Sequence, residues 1–83
     1  MQLLYFAWVK EKTGVSAEEV ELPPGITTIA DLISWLKTRG PEFANAFERT
    51  ETIKAAIDQK HARHDAAIAG AREIAFFPPV TGG

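Results

Sequence analysis

The sequence predicts an α+β fold, a mixed β-sheet with one main helix packed on one face, and three observations carry this prediction. Two runs rich in apolar residues, Leu3–Val9 and Arg72–Phe77, stand at opposite ends of the chain. One stretch, Thr28–Arg39, carries a clear helical period. The segments between are punctuated by Pro23-Pro24-Gly25, Gly40-Pro41 and Gly70, residues that interrupt regular structure.

Leu3–Val9 is continuously apolar and too short for an ordinary helix, so it is expected to be a strand covered on both faces and central in the sheet. Lys10–Gly14 follows as a polar loop. In Glu18–Leu22, Val20 and Leu22 share one face while Glu19 and Glu21 share the other, the pattern of a half-exposed strand pairing with the first as a wide hairpin. Thr28 is a natural N-cap with Asp31 in the first turn, and Ile29, Leu32, Ile33 and Leu36 make one apolar stripe. Gly40 and Pro41 close that helix near Arg39.

Pro41–Thr50 is expected to be irregular or a short helical turn, with Phe43, Ala44 and Phe47 covering the end of the core. Ile53–Gln59 alternates as a strand with Ile53, Ala55 and Ile57 inward. Lys60–Ala71 has a weak pattern, with Gly70 turning into the last strand, Arg72–Phe77. Two central strands joined by a long crossover are expected to be adjacent and parallel. That arrangement is a β-grasp, the ubiquitin-like roll, assigned to residues 1–77, with 78–83 as an extended C-terminal tail.

Bulk properties bound the function. Eighty-three residues suit one domain burying about 60 to 65% of its unfolded surface. The absence of cysteine excludes a disulfide staple, a thiol nucleophile and a cysteine-based metal site. Net charge is −2 with both signs interspersed, and no Lys/Arg run marks a nucleic-acid or anionic-membrane footprint. Met1-Gln2-Leu3-Leu4-Tyr5 lacks the basic leader of a secretory signal, and no apolar run approaches membrane-spanning length, so the cytoplasm is the expected location.

The tail is the unusual feature. Gly82 and Gly83 lack a Cβ and offer a backbone thin enough for a slot that any side chain would block. Pro78 and Pro79 have fixed φ and no N–H, so they end sheet pairing and favour an extended path. Residues 78–83 reach roughly 20 Å beyond the sheet at about 3.3 Å per residue. Successive strand residues point to opposite faces, so one of Phe76 and Phe77 enters the core and the other meets the open face; parity does not say which. An aromatic on the open face marks an interface.

Elsewhere the chemistry is sparse. His61 and His64 stand at helical metal-ligand spacing, but the local pattern offers no helix to hold them, and two surface histidines are the expected reading. Glu18, Glu19 and Glu21 read as a solvated strand rather than an acid/base pair. No Walker-type phosphate loop and no Ser/His/Asp arrangement is present.

With Phe6-Ala7 followed by Val9-Lys10-Glu11, Thr28, Ala55-Ala56-Ile57-Asp58-Gln59 and the ending Phe76-Phe77-Pro78-Pro79-Val80-Thr81-Gly82-Gly83, the chain resembles the molybdopterin synthase small-subunit family. These are ubiquitin-like sulfur carriers of molybdenum cofactor biosynthesis. The resemblance implies that Gly83 is adenylylated, becomes a thiocarboxylate and donates sulfur to a pterin precursor. It implies three partners: the large synthase subunit in a heterotetramer, a ubiquitin-activating-type adenylyltransferase using ATP and Mg, and a sulfur donor. This chain itself is expected to bind no cofactor, metal, nucleic acid or membrane, and the acid/base groups are expected in the large subunit. Pro78, Pro79, Val80, Thr81 and Gly82 are then the inserted tail, and Phe6 and Phe77 face the large subunit. The sequence departs from the family at Gly70-Ala71-Arg72-Glu73, where Gly-Asp-Glu is usual, and at Lys10, where Arg is common. Alternatives sharing the fold are a carrier for thiamine or tRNA thiolation, a non-catalytic interaction module, or a modifier ligated to lysines.

Overall fold

Five strands form one mixed sheet in the computed structural model, which describes residues 1–79. They are β1 (Gln2–Tyr5), β2 (Ala17–Glu19), β3 (Lys54–Ile57), β4 (Lys60–Ala62) and β5 (Glu73–Phe77), and their order across the sheet is β2-β1-β5-β3-β4. The strands from the two ends of the chain, β1 and β5, are adjacent and parallel, in the register Leu3↔Ile74 and Tyr5↔Phe76. All other pairings are antiparallel. The fold is the expected α+β β-grasp.

Alternation decides which side chains fill the core. Leu3, Tyr5, Ile74, Phe76 and Ala55 point to one face and are buried. Against them pack α1 (Ala7–Thr13), α2 (Ile29–Leu36) and α3 (Pro41–Ala46), which contribute Val9, the stripe Ile29, Leu32, Ile33 and Leu36, and Phe43 and Ala46. Phe47 follows α3 and is fully buried, with its ring 5.3 Å from Phe76 in an edge-to-face contact. Ala46, not the expected Ala44, turns inward beside Phe43 and Phe47, because i and i+3 or i+4 share a helix face.

The α2 helix matches its prediction. The Asp31 amide donates to the Thr28 hydroxyl oxygen at 3.1 Å, and the Asp31 carboxylate accepts from the Thr28 amide at 3.2 Å, a reciprocal capping box. The same carboxylate accepts from the Thr27 amide and hydroxyl at 3.0 and 2.9 Å. Those donors hold Asp31 below the usual carboxylate range, Thr27 most strongly. The helix ends at Leu36, a 3-10 turn runs over Lys37–Arg39, and Pro41 opens α3 at a position where its missing N–H removes no bond.

Four expectations are corrected. Leu3–Val9 is not one strand: β1 stops at Tyr5, Ala7 takes φ +52, and the chain enters α1, which absorbs the expected Lys10–Gly14 loop. Val9 and Thr13, four residues apart, supply its buried face, and Gly14 at φ +77 ends it through a left-handed cap that a side chain would strain. The wide hairpin of β1 and β2 therefore holds a helix between its arms, and β2 is Ala17–Glu19 rather than Glu18–Leu22, although Val20 does enter the core. The strand expected over Ile53–Gln59 ends at Ile57. Asp58 and Gln59, at φ +48 and +72, form a two-residue turn of the primed kind into β4, an edge strand in the weakly patterned segment.

One polar cluster ties β1, β2 and the end of the α2 segment together. The Tyr5 hydroxyl donates to Glu18 Oε2 at 2.7 Å, and the Arg39 guanidinium donates to both Glu18 oxygens at 2.7 and 2.9 Å. Arg39 also lies over the Trp35 and Phe43 rings at 5.2 and 4.8 Å. Glu18, expected to be solvated, is thus the acceptor of a bidentate pair with only 18% of its side chain exposed. Arg39, and after it Tyr5, hold Glu18 below the usual range against the effect of burial, while burial and then Glu18 push the Tyr5 phenol well up.

Stability is expected to depend on pH through these groups. Glu18 and Asp31 have depressed folded values, so their contribution is complete above about pH 4.3, the ordinary carboxylate range, and is lost as pH falls through the folded values. Tyr5, raised on folding, acts oppositely and loses its contribution above about pH 10. Melting temperature followed from pH 8 to pH 2 in about six steps checks the acid limb. It should hold between about pH 6 and 8 and fall below about pH 4, with a shallower fall in Glu18→Gln. An unchanged acid limb in that variant would remove Glu18 from the account.

Candidate functional site

The site is the end of β5 from which the tail leaves, with the open face of the sheet around it. β5 is hydrogen-bonded on both sides, to β1 and to β3, and so forms a rigid base. The Phe6 amide continues the parallel ladder by donating to the Phe76 carbonyl at 3.0 Å. Pro78 and Pro79 then follow without strand pairing.

The register settles the question that parity left open. Phe76 is fully buried, its ring centroid 6.1 Å from Tyr5 in a stacked pair, while Phe77 is half-buried on the opposite face. Leu4, Ala75, Ala56 and His61 lie side by side across that face, and Phe77 is paired with Lys54 in the next row. Phe6 is 48% exposed, the one large hydrophobic residue among those described that is so open to solvent. The His61 ring meets Phe77 edge to face at 5.4 Å. All three helices pack on the other side, so this apolar face has the small side chains and peripheral aromatics of a contact surface.

Two clefts lie near this face, one touching Pro79 and one along β3, β4 and the residues that flank them. One, of about 330 Å³, is lined by Pro79 with Trp8, Lys12, Asn45 and Arg49 among others. The other, of about 470 Å³, is lined by Lys54, His61 and Arg63 with Glu51 and their neighbours. His64 also lines it and donates its Nε2–H to the Ile53 carbonyl at 2.7 Å, whereas the His61 ring packs on Phe77. Among the described residues no three His, Asp or Glu side chains converge as a metal site, and no helix is long and apolar enough to cross a membrane.

Of the expected site residues, the structure brings Phe6, Phe77, Pro78 and Pro79 together at one end of the domain. Val80, Thr81, Gly82 and Gly83 lie outside the described residues. Lys12, Lys54 and Arg63 were not singled out as surface elements of this site by sequence reasoning. Lys54, between Ile53 and Ala55 in an alternating strand, was the readable one, since its parity places it on the open face.

A ubiquitin-like β-grasp domain that presents its C-terminal strand end beside an apolar sheet face is the class these features define. Residues 3–83 match the ThiS family, and the chain belongs to that family. It is 35% identical to the molybdopterin synthase sulfur carrier subunit of Haemophilus influenzae, over all of this chain and 99% of that one. The corresponding subunit of Escherichia coli is 34% identical with the same coverage. Among solved structures, SAMP1 from Haloferax volcanii superposes with a TM-score of 0.72 at 27% identity, covering 100% of this chain and 98% of that one.

The two phenylalanines are expected to respond differently to truncation. Phe76→Ala should cost about 3 to 5 kcal/mol of stability, the range for a buried aromatic. Phe77→Ala should cost about 1 kcal/mol or less of stability and instead weaken binding to the protein that receives the tail by about 2 kcal/mol. Chemical denaturation and calorimetric binding of both variants check the contrast, and a stability loss at Phe77 equal to that at Phe76 would return it to the core.

Proposed function

We propose that this chain is a sulfur carrier of molybdenum cofactor biosynthesis, acting as the small subunit of molybdopterin synthase. The observation that carries the reading is the full-length likeness to two subunits of that name, joined to a central strand that runs directly into Pro78-Pro79 and the Gly82-Gly83 end. The fold supports it by pairing the strand that precedes the tail on both sides, to β1 and to β3, which makes a rigid support.

The chemistry follows from the weakness of a carboxylate as an electrophile. A Gly83 carboxylate oxygen attacks the α-phosphorus of ATP on an adenylyltransferase partner, with Mg offsetting the phosphate charge, and pyrophosphate leaves. A sulfur donor supplies hydrosulfide equivalents to the acyl carbon, and AMP departs with the original carboxylate oxygen. The product is a thiocarboxylate at Gly83. In the large subunit its sulfur forms a carbon–sulfur bond to a pterin precursor as a carbon–oxygen bond at that carbon breaks and the oxygen leaves, and hydrolysis of the acyl–sulfur link restores the carboxylate and frees the sulfur on the pterin. Two transfers make a dithiolene. Pro78 and Pro79 direct the tail away from the sheet, Val80 and Thr81 line its path, and Gly82 and Gly83 are narrow enough for the partner's slot. Phe6 and Phe77 meet the large subunit. The assembly is a heterotetramer, and the cytoplasm, where the activating partner and ATP are available, is its place.

The likeness to SAMP1 of Haloferax volcanii favours a second reading, since the same fold appears there in a protein whose solved structure is also described as a small archaeal modifier protein. Under it Gly83 forms an amide with a lysine. One measurement separates the two. Intact mass of this chain, co-expressed with its adenylyltransferase and sulfur donor, is expected to rise by the exchange of one oxygen for sulfur at the C-terminus. Lysine-linked conjugates with no such exchange would overturn the carrier reading in favour of the modifier.

A further inference from the structure

His61 belongs to the open face of the sheet and is in contact with the aromatic residue that anchors it. β4 pairs with β3 in the register Ala56↔His61, and β3 pairs with β5 in the register Ala56↔Ala75, so the imidazole rises from the same row as Ala56, Ala75 and Leu4. Ala56 carries only a methyl group. Across it the His61 ring meets Phe77, with centroids 5.4 Å apart and planes at 69°, an edge-to-face pair that spans β3. The imidazole is exposed, and among the described residues it makes no hydrogen bond and no ion pair. A partner seated on Phe77 must therefore cover a ring that now has only water to solvate its polar atoms.

Covering costs little for a neutral imidazole and much for an imidazolium, because burial away from water penalises the charged form. The charged neighbours within this chain do not offset that cost. Lys54 on β3 and Arg63 after β4 line the same cleft as His61 and repel a third positive charge. Glu51, in the turn Thr50–Thr52, also lines it but is shared with Arg49 at 3.9 Å. Glu73 lies on β5 beyond Ala75, at the end of the face away from Phe77, and His64 directs its Nε2–H to the Ile53 carbonyl. We propose that His61 makes docking of this face proton-sensitive: the neutral imidazole packs with Phe77 against the large subunit, and the imidazolium opposes that contact. The sign follows. Association releases a proton, and affinity falls as pH falls through the range in which histidine gains charge. This rests on the carrier reading above and adds a control by pH to its docking face.

Calorimetric titration of the whole chain into the purified large subunit of molybdopterin synthase from the same organism tests this. Carried out at about pH 6 in two buffers of different ionisation enthalpy, it counts the protons exchanged on binding, and repeated from about pH 8 to about pH 5.5 it follows the affinity. The wild-type chain is expected to release a fraction of a proton that His61→Leu does not. Over the same range its Kd is expected to rise about threefold to tenfold more than that of the variant, within the limit of about tenfold per pH unit for one linked proton. His61→Gln, polar but unable to ionise, is expected to follow His61→Leu, and a melting curve of each variant confirms folding. His64→Gln leaves the contact with Phe77 in place and is expected to keep the wild-type proton release. Equal proton release by the wild-type chain and both His61 variants, or a wild-type affinity that tightens relative to theirs on acidification, would overturn the inference while the carrier reading stands. If the wild-type chain does not bind the large subunit at any pH tested, the carrier reading falls and takes this inference with it.

Discussion

The parallel pairing of β1 with β5 joins the two ends of the chain at the centre of the sheet, and the positions of nearly everything else follow from it. It sets Tyr5 beside Phe76 and Leu3 beside Ile74 on the face that the helices cover. A slip of one residue would exchange the two faces of β5, sending Phe76 outward and Phe77 into the helical layer. The register is held by the fit of four aromatic rings, Tyr5, Phe43, Phe47 and Phe76, whose centroids lie 5.3 to 6.4 Å apart in the contacts they make. Substantial burial and edge contacts thus reinforce the hydrogen-bond ladder in specifying one alignment.

That alignment gives the two sides of β5 different work. Inside, Phe76 closes the core against Phe47 and Tyr5, and the Tyr5 hydroxyl reaches the edge of the core to meet Glu18 and Arg39. Outside, Ala75 and Phe77 join Leu4, Phe6 and Ala56 in a surface with no helix on it. Because β5 is paired on both flanks, the point where Pro78 leaves the sheet is fixed relative to that surface. A carrier needs this combination, since docking geometry and delivery of the tail are then set by the same strand.

The legible parts of the fold were those encoded locally. The stripe of α2 and its Thr28 cap lie within nine residues, and the capping box formed as those residue types require. The parallel neighbours at the chain ends were readable because two apolar runs and a long crossover leave few alternatives. α1 was hidden because Leu3–Val9 contains no polar break; its start depends on Ala7 adopting a left-handed backbone that alanine does not advertise. β4 is a three-residue edge strand, and its turn uses Asp58 and Gln59 without the glycine that usually signals such a hairpin. Glu18 was misread because its partners stand 13 and 21 residues away. At the site, Phe6 and Phe77 were legible as candidates, but the linings of the two clefts were not, since each joins residues from separate segments of the chain, Trp8 with Arg49 and Pro79 in one and Glu51 with His61 in the other.

The central claim is that the domain serves as a rigid mount and that the chemistry resides at Gly83. A chain ending at Gly82 tests it most directly, assayed for product formation in a single turnover with the adenylyltransferase, sulfur donor, large subunit and pterin precursor. The account predicts an unchanged melting temperature, near-normal binding to the large subunit and no sulfur transferred to the pterin. Full transfer by the shortened chain would contradict it.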